Sequence, residues 1–185
     1  MVFVLIVATN LLDRDNFIRV KDSVVTIYED RLVANDLIFE MARSIHEKEL
    51  AAVLSDSIFY SQKNSKSNTE IIGLISRFEL TKLTDKEGLV LNNLKGNFKK
   101  LTKAEEQYIQ SGFNSEEELK EHIEEVKQNL YDLSKIQLNE GGRQMTISKR
   151  AISTVELFTQ IELYVLILLA IIVQIIVMYK PKEES

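Results

Sequence analysis

Residues 161–179 (IELYVLILLAIIVQIIVMY) form an apolar run of about 19 residues in which only Glu162 and Gln174 are strongly polar. At a rise of ~1.5 Å per residue, a helix of that length covers the ~30 Å hydrocarbon core of a bilayer. The run closes a longer proline-free segment, 115–179, whose opening pair Ser115 and Glu118 matches a capping box. One helix that begins in water and ends across a membrane is the expectation, and the rest of the chain must pack along it.

Composition supports that organisation only when it is resolved along the chain. With 45% hydrophobic and 28% charged residues over 185 positions, the average suits a soluble helical domain. The apolar weight, however, sits at the two ends, 1–8 and 163–178, and the middle is amphipathic and rich in Glu, Lys, Asn, Gln and Ser. The net charge of −5 is dispersed and leaves no dense basic face, so nucleic acid is not an expected partner. The absence of cysteine removes disulfides and thiolate metal sites, and six scattered glycines give no phosphate loop.

In chain order, MVFVLIVA is too short to span a bilayer and lacks the basic region and cleavage site of a signal peptide. It reads as the outer end (1–9) of a first transmembrane helix, either one that starts upstream of Met1 or one that begins there and only dips into the membrane. From Thr9 there is no proline or glycine until Gly73. Apolar residues recur at steps of three and four through Phe17, Val20, Val24 and Ile27, then Ala34, Ile38, Met41 and Ile45. One long helix is expected to about Asp56, where Ser55, Asp56 and Ser57 offer caps. The polar stretch 61–69 (SQKNSKSNT) reads as a loop or as the exposed start of a second helix, which Ile72, Ile75 and Phe78 carry to about Leu83. Thr84 and Glu87 form a capping box for a third helix with the seam Leu91, Leu94, Phe98, Leu101 and Tyr108, and Gly112 fits its C-cap. The fourth helix is the one described above.

Lengths then fix a topology. Helices one and four each have about 46 residues in water, roughly 70 Å, and the middle two are about half as long. The expected fold is all-α: a membrane-anchored antiparallel four-helix bundle (10–160) with a two-helix membrane-proximal stalk, helices one and four running into transmembrane helices, and a short tail (180–185). The turn near 83–85 falls level with Arg31 on helix one. On helix four the seam Val126, Leu130, Leu133 turns polar at Gln137, Glu140 and Gln144 before Ile147. A polar layer of Arg31, Gln137, Glu140 and Gln144 is expected there, with Asp30 and Arg143 nearby. Its planar guanidinium could fork the carboxylate of a small ligand, or Arg31 could pair with Glu140 and set register. Gly141 and Gly142 interrupt the helix at about 1 kcal/mol each relative to alanine, either to make room for the turn between helices two and three or as a hinge.

No enzyme is expected. His46 and His122, the only histidines, lack a second ligand at helical spacing, so their Glu-rich surroundings read as solvated faces rather than as a metal site. No nucleophile and base pattern stands out, and no cofactor is implied. Lys180 and Lys182 beside the span favour a cytoplasmic C-terminus, and Tyr164 and Tyr179 suit the two interfaces.

Two stretches, VVTIYEDRLVANDLIF (24–39) and DLSKIQLNEGGRQMTISKRAISTVELFTQIELYVLILLAIIVQIIVMYK (132–180), carry a resemblance. The chain resembles the four-helix-bundle sensory domains of bacterial methyl-accepting chemotaxis receptors, and more closely the short chemoreceptor-like sensory-module proteins of Bacteroidetes. The resemblance implies an inner-membrane receptor with a periplasmic, usually dimeric bundle that binds a small molecule or a periplasmic partner. Six residues follow Tyr179, so the output of such a module is expected to pass through another membrane protein. The alternative is a structural accessory subunit of a larger membrane complex. In either case the transmembrane and stalk helices are expected to associate, as a homodimer or a hetero-oligomer.

Overall fold

The computed structural model describes residues 14–25, 27–114 and 116–179, and of residues 28–30 and 177 the backbone alone. The segment 1–9, the tail 180–185, the Ser115 cap and the Asp30 side chain lie outside the described residues. The chain is all-helical, with no strand among the described residues. Helix α1 (14–25) leads to a π-helical turn, Ile27–Leu32, and then to α2, Val33–Val53. A second π-helical turn, Phe59–Lys63, opens directly into α3, Asn64–Glu79. α4 is Asp85–Gln110, and α5 runs uninterrupted for 63 residues, Glu116–Met178.

Local chemistry places the turns. α2 closes where Asp56 N–H reaches Ala51 O at 2.8 Å and Ser55 N–H reaches Ala52 O at 3.1 Å, with Ser55 at φ 50°. The Asp56 carboxylate then accepts from Phe59 N–H at 3.0 Å and caps the next helix. At α4 the Thr84 hydroxyl accepts from Glu87 N–H at 3.3 Å, and the Glu87 carboxylate accepts from Thr84 N–H at 2.6 Å. The expected capping box is present. α4 ends on the paired bonds Phe113 N–H to Tyr108 O and Gly112 N–H to Ile109 O, with Gly112 at φ +67°, where a side chain would be strained.

The chain separates into two compact units. In Val25–Arg143 a single apolar core is drawn from four helices: Leu37, Met41 and Ile45 of α2, Ile71 and Phe78 of α3, Leu94 and Leu101 of α4, and Ile123 and Val126 of α5. Burying each such side chain contributes about 1.5–3 kcal/mol. All five expected seam residues of α4 are buried. The stretch 61–69 is helical, and Asn64 and Ser67 within it point inward rather than into solvent.

The other unit combines Met1–Val24 with Gln144–Ser185. Its register differs from expectation. The expected seam sets Phe17, Val20, Val24 and Ile27 against Ile147, Ala151, Thr154 and Phe158. Of these, Ala151 is buried and Val20 and Phe158 are half-buried, whereas Phe17 at 69% and Val24 are exposed, and Asn16, Ser23 and Ser148 are buried in addition. On α1 the buried line moves one residue, from Phe17 and Val24 to Asn16 and Ser23, and the larger apolar groups turn outward.

Candidate functional site

Three features could carry function, and the sequence pointed to one of them. Arg31, at the end of the first π-helical turn, is buried. Its Nη1 donates to Glu87 Oε1 at 2.7 Å and to Gln137 Oε1 at 3.0 Å. Gln137 joins Arg31 as expected, but the partner carboxylate is Glu87 and not Glu140. Glu140 accepts instead from Arg143 Nε at 2.7 Å, one turn along its own helix. A local pair three residues apart forms without any tertiary constraint, which leaves Arg31 to the carboxylate already fixed at the start of α4. Gln144 belongs to the other unit. The guanidinium therefore holds a carboxylate that the chain itself supplies. Its Nε is buried without a hydrogen-bond partner among the described residues.

Glu87 thus has two duties: one oxygen caps α4 and the other pairs with Arg31. The N-terminal end of α4 also favours its negative charge.

The second feature was not anticipated. Lys48, fully buried, donates to Glu105 Oε1 at 2.7 Å and to Asn64 Oδ1. Asn64 and Asn68 donate to Glu105 Oε2 at 2.9 and 2.8 Å, and Tyr60 OH donates to Lys48 O at 2.9 Å. Burial pulls the Lys48 ammonium below its usual value against the opposing pull of Glu105, and burial raises the Tyr60 phenol, with the Glu105 charge adding to it. Tyr60, Tyr108 and Phe113 continue outward as edge-to-face rings, each pair about 5.2 Å apart. The signal was present in the heptads: Lys48 follows Met41 and Ile45 on the α2 seam, and Glu105 falls between Leu101 and Tyr108 on that of α4.

The third feature is an open cleft of about 390 Å³ between α2 and α5, floored by Ile38, Ala42 and Leu130. Phe39 and Tyr131 flank it at 66% and 62% exposure. At one end lie His46 and Lys127. The Lys127 ammonium donates to Glu49 and Glu124, both at 2.9 Å. That bond holds the Glu49 carboxyl below the usual 4.5 and raises Lys127 above 10.5. Glu49 thus contributes stability that is complete above its unfolded value and lost as pH falls through the folded one. Lys127 contributes below its unfolded value and loses that contribution as pH rises through the raised one. The urea midpoint in detergent is expected to fall between about pH 5 and pH 3, and to fall less in Lys127→Met.

Gly141 and Gly142 do not make room for a neighbour, because a Cβ at either meets nothing within 4 Å. Gly141→Ala and Gly142→Ala are each expected to raise stability by about 0.5–1 kcal/mol, read as a higher urea midpoint by circular dichroism.

No protein-family model, curated protein or solved structure matches the chain.

Proposed function

We propose that this chain is a membrane-anchored, chemoreceptor-like sensory module. Its unit Val25–Arg143 is read as a periplasmic four-helix bundle, and α5 carries the signal into the inner membrane. The observation that supports this most is the continuity of α5. Its Leu119 to Leu133 side chains line the core of one unit, and its C-terminal part is long and apolar enough to cross a membrane, with no residue of its most apolar stretch buried. Such a face is stable in lipid and unfavourable in water. A ligand or protein partner seated in the α2/α5 cleft would press on the same helix that enters the bilayer. The glycine pair, just before the boundary between units at Arg143, is where bending would be easiest. The cleft, and not the Arg31 layer, is the input site, because Arg31 is already engaged by Glu87.

The alternative, a bracing subunit of a larger membrane assembly, draws on exposed apolar side chains of this unit: Phe39 and Tyr131 beside the cleft, and Leu138, 78% exposed, seven residues on from Tyr131 along α5. Two measurements test the orientation and then separate these readings. In spheroplasts, Glu117→Cys is expected to react with a membrane-impermeant maleimide and Lys182→Cys to be protected. Protection of Glu117→Cys or labelling of both would sink the proposed orientation. A gentle detergent pull-down of the full-length chain should then yield a kinase or receptor for sensing, or stoichiometric subunits of a fixed complex for bracing.

A further inference from the structure

The buried and half-buried positions of α5 in its second unit step by three and four residues from Ser148 through Ala151, Val155, Phe158, Glu162, Val165 and Leu169. Continued by the same steps, that line reaches Ile172 and Ile176. Gln174 lies roughly 160° around the helix from it, at 3.6 residues per turn. Gln174 is exposed, and it shares its side with exposed Leu163, Ile167 and Ala170 at steps of four, three and four. This is a second seam, directed away from the covered one.

Within hydrocarbon, a carboxamide is unfavourable until its N–H and C=O groups find partners. Gln174 sits roughly 7.5 Å along the helix from Tyr179, too deep for its short side chain to reach the interface. Ala170, one turn earlier, is the smallest side chain in the span and allows a second helix to approach. A carboxamide both donates and accepts, so an identical group satisfies it. Two copies of one chain inserted in the same sense put Gln174 at the same depth, which makes a twofold pairing self-complementary. We propose that α5 pairs with α5 of a second copy through Leu163, Ile167, Ala170 and Gln174, the two Gln174 carboxamides exchanging hydrogen bonds across the axis. This rests on the reading of 161–179 as a membrane span.

The chain has no cysteine, so single cysteines report the pairing cleanly. In full-length protein reconstituted in phosphatidylethanolamine and phosphatidylglycerol vesicles, Ile167→Cys is expected to form disulfide-linked dimers several-fold faster than Val165→Cys on the covered line. Adding Gln174→Leu to Ile167→Cys should slow dimer formation about three- to tenfold, the scale of one interhelical hydrogen bond in lipid, and Gln174→Asn should retain most of it. Equal rates at the two cysteine positions, or no effect of Gln174→Leu, overturns the proposal. So does a Gln174-dependent crosslink that forms only in native membranes and to a different protein. Labelling of Ile167→Cys by a membrane-impermeant maleimide overturns the span itself, and the pairing with it.

Discussion

Glu105→Leu is expected to lower the unfolding free energy by about 3–5 kcal/mol, because it strands the Lys48 ammonium in the core and leaves the Asn64 and Asn68 side-chain amides without their acceptor. Adding Lys48→Met should recover most of that loss. A buried ion pair replaced as a pair by apolar groups of similar volume is often neutral or stabilising, whereas a broken one is not. The single variant should also acquire a pH signature. With Glu105 gone, Lys48 is driven further below the usual 10.5 from which burial already lowers it. The unfolded chain then binds a proton that the folded chain does not, so stability rises with pH, by at most about 1.4 kcal/mol per unit, until the unfolded lysine titrates. Urea unfolding in mild detergent at about pH 7 and pH 9 would show the rise in Glu105→Leu and its disappearance in the double variant. A pH-independent loss of the same size would mean that the cost is shape and not charge.

The same cluster shows why sequence reading reached part of this molecule and missed the rest. Periodicity finds helices through their large apolar residues, so the α4 seam, the capping box at Thr84 and Glu87 and the turn at Gly112 were all legible. Periodicity is blind to charged groups that occupy the same steps. Lys48 and Glu105 lie on their seams, but each is interpretable only with the other in place. For the same reason 61–69 reads as polar and exposed, when Asn64 is turned inward onto Lys48 and Glu105 and Ser67 is buried as well. The register of α1 failed for the opposite reason: Phe17 and Val24 were the attractive core residues, yet the buried positions are Asn16 and Ser23. At the Arg31 layer the height on the helices was readable from lengths. The partner was not, because the two oxygens of a capping-box carboxylate can serve two groups, and sequence motifs count it as used once.

Glu87→Ala is the other change expected to cost about 3–5 kcal/mol, and the order of effects around it tests whether cap and ion pair are one device. Removing the Glu87 carboxylate leaves Arg31 buried and uncompensated and at the same time uncaps Thr84 N–H. Arg31→Met should cost less, about 1–3 kcal/mol, because the remaining carboxylate keeps its 2.6 Å bond from Thr84 N–H and the favourable end of the α4 dipole. Thr84→Ala should cost least, about 1 kcal/mol, since the Arg31 pair survives it. The check is the urea midpoint of each variant in mild detergent, followed by helical circular dichroism. If Thr84→Ala proves as damaging as Glu87→Ala, the ion pair contributes nothing beyond the cap. If Arg31→Met proves the worst of the three, the carboxylate is not stabilised by α4, and the layer is held by the guanidinium alone. The predicted order instead makes the start of α4 the fixed point to which Arg31, and through it Gln137 of α5, is tied.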